Sequence, residues 1–382
     1  MLEGTNVALG VTGSVAAVTV VELAHELRRR GATVRATMTE AAQGIVHPDA
    51  VSYATDAETV TELTGAVEHV AWCGKAGWAD VFLVAPATAN TIGKIAGGID
   101  DTPVTTMVTT ALGAGVPVVV APAMHEGMFD HPGVTENLET LEDWDISVVA
   151  PRIEEGKAKI ASADAIALDV ARAVSPSPLD GHRVVVTSGP TTEPIDPVRV
   201  LTNRASGRTG QAVAKGIYAN GGDVVLLHQD GEVPYATVET VETAAEMTDA
   251  AVEAAADADA LVSAAAISDY TVEPFAAKVP SGESLTLELE PTRKLVEAVR
   301  DEYPALPIVG FKLESDPETL PEAARALRER TDMAFVVANA TDALGGEETA
   351  VEFVTEDTVE SFAGSKPALG LEVARRLGAA LA

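Results

Sequence analysis

Two apolar spacings alternate along the chain. Short unbroken apolar runs read as strands buried on both faces: NVALGV (6–11), ATVRATM (32–38), DVFLVAPA (80–87), VPVVVAPA (116–123) and ISVVAP (146–151). Between them apolar residues return at helical spacing. SVAAVTVVELAHELRRR (14–30) ends in arginines with Gly31 just beyond, a helix-stop pattern. Residues 88–97 and 103–113 read as further helices. Such alternation specifies a doubly wound parallel sheet.

The pattern then breaks and restarts. AVSPSPLDGHR (173–183) carries prolines, serines and glycine in the manner of a linker. Beyond it, RVVVTSG (183–189), DVVLLHQ (223–229), ADALVSAAA (258–266), PIVGFKL (307–313) and MAFVVANA (333–340) read as buried strands. TAVEFVTED (349–357) alternates and reads as an edge strand; 208–219 and 365–382 read as helices. The expectation is an α/β chain of two consecutive doubly wound Rossmann-like domains, 1–172 and 182–382, with a linker at 173–181. A length of 382 residues suits that division, since domains commonly run to roughly 100–200 residues.

Charge narrows the classes of partner. With 58 acids against 26 bases the net charge is −32, which repels nucleic-acid backbones and anionic lipid. The acids are spread over every expected helix and loop, as in proteins adapted to a salty cytoplasm. Salt screens such self-repulsion, so the fold is expected to loosen in dilute buffer. A melting temperature identical in dilute buffer and in about molar potassium chloride would count against this. The single cysteine, Cys73, rules out an internal disulfide framework and a cysteine-rich zinc site. No run reaches the roughly 18 apolar residues of a membrane span, and the start of the chain lacks a signal-peptide pattern. A cytoplasmic location is expected.

The first candidate site lies at strand ends of the first half. The turn from Gly10 to Ser14 (GVTGS) joins strand to helix and lets backbone approach an anion. It is not the GxGxxG of dinucleotide folds, and Ser14 reads equally as phosphate ligand or helix cap. Thr39 and Glu40 come directly after the second strand. APATANTIGKIAGGIDD (85–101) and APAMHEGMF (121–129) come after later strands at the same sheet edge, where such folds bind ligands. Small hydroxyl and amide residues there suit a flat, polar-edged ring.

GVTGSVAA, VEHVAW, APATANTIGKIAGGIDD and APAM together resemble the FMN-binding, flavin-dependent cysteine decarboxylases over about residues 4–170. The resemblance implies a flavodoxin-like domain. In it Gly13, Ser14 and Thr39 would hold the FMN phosphate, and Ala85, Thr88 and Asn90 the ring and ribityl chain. His69 would be the active-site base or orienting group. The implied substrate is 4′-phosphopantothenoylcysteine. Its thiol side is oxidised to a thioaldehyde that accepts the electrons left by departing carbon dioxide, and the flavin's electrons are then returned. Two departures stand out. The family's asparagine after PAM is His125 here, which can still donate to a substrate carboxylate. The family's flap cysteine, a proton donor, is missing from PRIEEGKAKIAS (151–162), leaving Lys157, Lys159 or water for that role. Cys73 lies outside the flap and reads as a bystander.

The second candidate site centres on TSGPTTEPIDPVRVLTNRASGRTGQAVA (187–214). A glycine-rich turn leaves a strand, and Asn203, Ser206, Gly207 and Arg208 gather near a helix N-terminus, a natural anion site. Arg199 offers a bidentate fork for carboxylate or phosphate. In SAAAISDYTVEPFAAKVPS (263–281), Asp269 suits Mg2+ with phosphates completing the shell, and Lys278 suits a triphosphate. Phe311 and Lys312 end one strand and Asn339 another.

TSGPTTEPIDPVRVLTN, SGRTG, AAAISDY, VGFK and VAN resemble phosphopantothenate–cysteine ligase over about residues 182–380. The resemblance implies activation of the 4′-phosphopantothenate carboxylate by a nucleoside triphosphate, CTP in fused prokaryotic forms, and then attack of the cysteine amine. Asn203 and Arg199 would stabilise the acyl-nucleotide or the substrate phosphate. Lys278 and Lys312 would meet the triphosphate, Asp269 would place Mg2+, and Phe311 and Asn339 would touch the base. The same resemblances imply a homo-oligomer, from flavin-domain trimers and ligase dimers up to a dodecamer. Two other readings compete. A non-enzymatic FMN-binding regulatory protein calls for a decayed second half. Another flavin enzyme, such as a flavin prenyltransferase, leaves residues 182–380 unexplained.

Overall fold

The computed structural model describes every residue except Glu283, Ser315, Pro317, Glu318 and 341–347. The last part of the VANATDALG stretch therefore lies outside the described residues. The chain divides into two compact units, Met1–Ser175 and Pro176–Ala382.

The first unit is built on five parallel strands. Across the sheet they run Thr33–Met38, Asn6–Val11, Val81–Ala87, Val118–Pro122, Ser147–Val148. Every residue of Val81–Ala87 and of Val118–Pro122 is buried, which is why both read as unbroken apolar runs. This order, second strand outside the first and then outward through the third, is the flavodoxin-like arrangement. It puts the switch point between Asn6–Val11 and Val81–Ala87.

Two elements differ from the sequence expectation. The helix expected at 14–30 opens as a 3-10 helix, Val15–Thr19, and becomes α only at Val20–Arg29. The β-branched residues Val15, Val18 and Thr19 are poor material for a regular first turn. The strand expected at 146–151 is only Ser147–Val148. Beyond it the chain forms a hairpin, Arg152–Glu154 with Lys157–Lys159, whose second strand also pairs with Met124–His125.

The second unit holds an eight-stranded sheet. Its order is Thr237–Thr240, Asp223–His228, Arg183–Thr187, Ala260–Ser263, Ile308–Glu314, Phe335–Ala340, Glu348–Val354, Val359–Ser365. The first six are parallel, in the Rossmann order, and the last two are antiparallel. The strand expected as an edge is thus interior, and Val359–Ser365 is the edge. That strand is mostly exposed and carries Glu360, Ser361 and Ser365, so it gives no apolar signal. The switch point lies between Arg183–Thr187 and Ala260–Ser263. Among the described residues, no helix is long and apolar enough to cross a membrane.

Candidate functional site

In the first unit, hydrogen bonds join four loops at the carboxyl edge of the sheet. The Thr12 hydroxyl donates to Pro86 O at 2.6 Å and accepts the Thr88 N–H at 3.2 Å, closing the switch point. Ser14 Oγ accepts the Ala16 N–H and donates to Ala123 O, both at 3.3 Å, linking the first turn to the loop after Val118–Pro122. The Thr39 N–H donates to Val11 O at 3.0 Å. Thr39 Oγ1 caps the helix Glu40–Gln43 by accepting the Ala42 N–H at 3.3 Å, which leaves its own O–H to donate outward. Gly13 is required for this closeness: a Cβ there would lie 2.5 Å from Ala41 Cβ. Thr88 caps Ala89–Ala96, and Asn90 is exposed on that helix's first turn. Ala85 is fully buried within its strand and presents no side-chain surface to a ligand.

His69 lies on a short helix, Glu68–Cys73, held by Trp72 and Cys73 in the core beside Phe82, Ile92 and Met107. Its Nδ1 is buried and has no hydrogen-bond partner among the described residues. An orphaned buried ring nitrogen is costly unless a bound group completes it. The residue starting this helix, Val67, has φ 55°, a left-handed conformation rare for a β-branched side chain.

The flap hairpin brings His125 opposite Lys157 in antiparallel register, so the two side chains are direct cross-strand neighbours. Lys159 is engaged elsewhere: its Nζ bonds Glu155 at 2.8 Å and Glu154 at 3.1 Å, and those bonds raise its pKa above the ordinary lysine value. Cys73 is fully buried, and burial pushes its thiol up to about 12. A thiol so disfavoured as thiolate is a packing residue. Cys73→Ser is therefore expected to retain turnover while costing about 1–3 kcal/mol of stability for the buried hydroxyl. A decarboxylation assay and a melting curve would check both; loss of turnover with flavin still bound would contradict this.

A cavity of about 790 Å3 lies at the opposite end of this sheet, lined by Arg28, Arg29 and Arg35. These cations are occupied by the protein itself: Arg28 with Ala54 O and Asp56, Arg29 with Glu26, and Arg35 stacked on Trp78. The four joined loops lie at the other edge of the sheet.

In the second unit the loops after Arg183–Thr187 and Ala260–Ser263 are stitched across the switch point. Buried Thr187 accepts the Ala265 N–H at 3.1 Å, and buried Thr191 accepts the Ser268 N–H at 2.8 Å. The long loop after Thr187 is not irregular throughout. It contains an antiparallel pair, Thr192–Pro194 with Val200–Thr202. Glu193 in this pair is buried and accepts the Ala244 N–H at 2.9 Å and the Thr271 hydroxyl at 2.7 Å. The helix Arg208–Ala219 begins at Gly207, at φ 70°, with no side-chain cap. Its first-turn N–H groups therefore suit an anion. Burial first, and then the neighbouring Arg208 cation, hold Lys366 below the ordinary lysine range. Two cations thus meet near this helix start in a chain of net charge −32.

The sequence-expected residues divide. Asn203 is at the switch point, but both amide atoms bind backbone: Nδ2 donates to Ala266 O at 2.7 Å and Oδ1 accepts the Ala205 N–H at 3.0 Å. Arg199 is likewise engaged, with Asp196 and with Val279 O. Phe311 and Asp269 meet in one cavity of about 170 Å3, together with Ser263, Thr292 and Lys294. Asp269 is paired there with Lys294, a residue that sequence reasoning misses. No group of three metal-ligating side chains occurs among the described residues, so Asp269 faces a cation of the protein rather than a built metal cage. Lys312 comes after Phe311 in the strand, so it points to the opposite face; it pairs with Glu314 at 3.4 Å. Asn339 Oδ1 is buried without a partner among the described residues. Lys278 is exposed on an irregular loop.

Two family models match this chain: "Flavoprotein" over residues 1–175 and "DNA/pantothenate metabolism flavoprotein C-terminal domain" over residues 179–380. Among curated proteins, the coenzyme A biosynthesis bifunctional protein CoaBC of Thermococcus kodakarensis is 46% identical over 365 residues, 93% of this chain and 90% of that one. Its counterpart in Methanocaldococcus jannaschii is 34% identical over 99% of this chain and 94% of that one. The counterpart in Bacillus subtilis is 32% identical over 90% of this chain and 88% of that one.

Proposed function

Because the chain belongs to the family of bifunctional coenzyme A biosynthesis proteins, we propose that it carries out two successive steps of that pathway with its two units in reverse chain order. The second unit joins 4′-phosphopantothenate to cysteine, and the first decarboxylates the product to 4′-phosphopantetheine. The observation that carries this reading is the pair of loop clusters, each at the switch point of its own sheet, within a chain that matches its relatives almost end to end. An intact second cluster argues against a purely regulatory FMN-binding protein. The same cluster is unaccounted for by a flavin prenyltransferase.

In the first unit the hydroxyls of Thr39 and Thr88 and the close approach at Gly13 suit FMN, while Ser14 would have to turn its proton away from Ala123 O to join them. When bound, FMN supplies the two-electron exchange that makes the carboxylate a leaving group. The chain's own residues orient and protonate. His69, with its unpartnered buried Nδ1, takes the proton from the substrate's thiol side. His125 donates to the substrate carboxylate. Lys157, its cross-strand neighbour, stands in for the flap cysteine as proton donor to the product.

In the second unit the uncapped start of Arg208–Ala219 and the Arg208–Lys366 pair suit phosphate groups. Lys278 neutralises the departing pyrophosphate, and Phe311 lies against the base. Asn339 adds a buried acceptor that suits the amino group of cytosine or adenine alike, so the choice of CTP rests on the likeness to fused prokaryotic ligases. Lys312, on the far face of its strand and paired with Glu314, takes no part in holding the nucleotide in this reading. Mg2+ would arrive with the nucleotide and take its ligands from phosphate oxygens and water, since Asp269 is already paired with Lys294. FMN and substrates meet an acidic, salt-adapted cytoplasmic protein that works as a homo-oligomer. The test is product analysis with phosphopantothenate, cysteine and either CTP or ATP: cysteine-dependent release of CMP and pyrophosphate supports this reading, and turnover with ATP alone refutes the base preference.

A further inference from the structure

Lys278 has a task that needs precise aim, yet its local chain has no regular structure. Residues 273–282 form neither helix nor strand and are largely exposed. A long lysine on such a segment samples many positions, and each ordered rotor costs entropy. Something must hold the segment.

The holding contacts come from the turn Ile195–Arg199, far away in sequence. The Phe275 N–H donates to Ile195 O at 2.9 Å. The Val279 N–H donates to Asp196 Oδ2 at 3.1 Å, and Val279 O accepts from Arg199 Nη1 at 3.0 Å and Nη2 at 3.1 Å. Both backbone groups of Val279 are therefore bound by side chains, much as a neighbouring strand would bind them. Lys278 lies between the two anchor points, Phe275 and Val279.

The clamp is itself built rigidly. Pro197 presets the turn. Asp196 Oδ1 accepts the N–H groups of Val198 and Arg199, each at 2.8 Å, while Oδ2 meets Arg199 Nη1 and Val279. The Asp196 side chain is fully buried, and Arg199 is 38% exposed. Burial opposes the charge on Asp196, but the backbone N–H groups and Arg199 outweigh it and hold the carboxyl below its usual range. An ionised carboxylate that accepts so many bonds is a fixed point.

We propose that Asp196 is a positioning residue of the ligase site: through Arg199 and Val279 it clamps the arch that presents Lys278 to the nucleotide. This rests on the ligase reading of the second unit. Arg199 acts here through the arch rather than as a fork for substrate.

The test uses the full-length protein and two variants, Asp196→Asn and Arg199→Gln. Asn turns an acceptor facing Val279 N–H into a donor; Gln removes the fork on Val279 O. Each is expected to lower ligase kcat by about 100-fold, the scale of a small misplacement, with decarboxylation of supplied phosphopantothenoylcysteine unchanged. Each is also expected to speed tryptic cleavage after Lys278, monitored by mass, because the freed arch enters the protease. The double variant is expected to lose no more than the worse single one, since both act through Val279. Cleavage after Lys278 at the wild-type rate, or strictly additive losses in kcat, would overturn the proposal. If Asp196→Asn fails to fold, Arg199→Gln alone decides. Absence of ligase activity in the unmodified protein would sink the ligase reading, while the cleavage comparison would still decide whether the clamp exists.

Discussion

Lys278→Gln is expected to abolish ligation, by about 10²–10³-fold, while leaving decarboxylation intact. The glutamine keeps length and polarity but removes the charge that meets a developing pyrophosphate. In a chain of net charge −32 few cations can take over. Supplied with phosphopantothenoylcysteine, the variant should form phosphopantetheine at the normal rate. Supplied with phosphopantothenate, cysteine and CTP, it should form almost nothing. Equal loss in both assays would undo the assignment of two separate sites.

The complementary change is His69→Ala. General acid–base groups contribute about 10²–10⁴-fold, and the loss is expected to fall on decarboxylation alone. The helix itself should survive, because Trp72 and Cys73 anchor it in the core and His69 contributes only its partly exposed ring. The purified variant should remain yellow, and in the coupled reaction phosphopantothenoylcysteine should accumulate. A colourless variant would instead make His69 a flavin-binding residue. Unchanged carbon dioxide release would remove it from the chemistry.

The two residues are assigned from the sequence for different reasons. His69 is found through the VEHVAW resemblance, since a lone histidine on a short helix carries no signal of its own. Lys278 stands out because cations are scarce. The parallel strands are legible because burial on both faces writes itself as continuous apolar residues, as in Val81–Ala87. The ribbon Tyr270–Val272 with Leu289–Pro291 and the edge Val359–Ser365 are not, because their backbone pairing needs no apolar face. The same limit applies to the site. Asp196 and Val279 are 83 residues apart, and Asp269 and Lys294 are 25 apart. Such pairs exist only once the sheet has brought their loops to one edge. Motif spacing assigns Arg199 and Asn203 to the substrate, yet both are bound to protein backbone. Local spacing shows that a polar side chain sits near a site, not which partner it takes.

The proposed function has one chain join and then decarboxylate. It is tested most directly by a single reaction containing the purified protein, phosphopantothenate, cysteine labelled in its carboxyl carbon, CTP and Mg2+ in high salt. The expected result is unlabelled phosphopantetheine, with the label recovered as carbon dioxide and one CMP released per turnover. Labelled phosphopantothenoylcysteine that never loses its carboxyl carbon, or no cysteine incorporation at all, would contradict it.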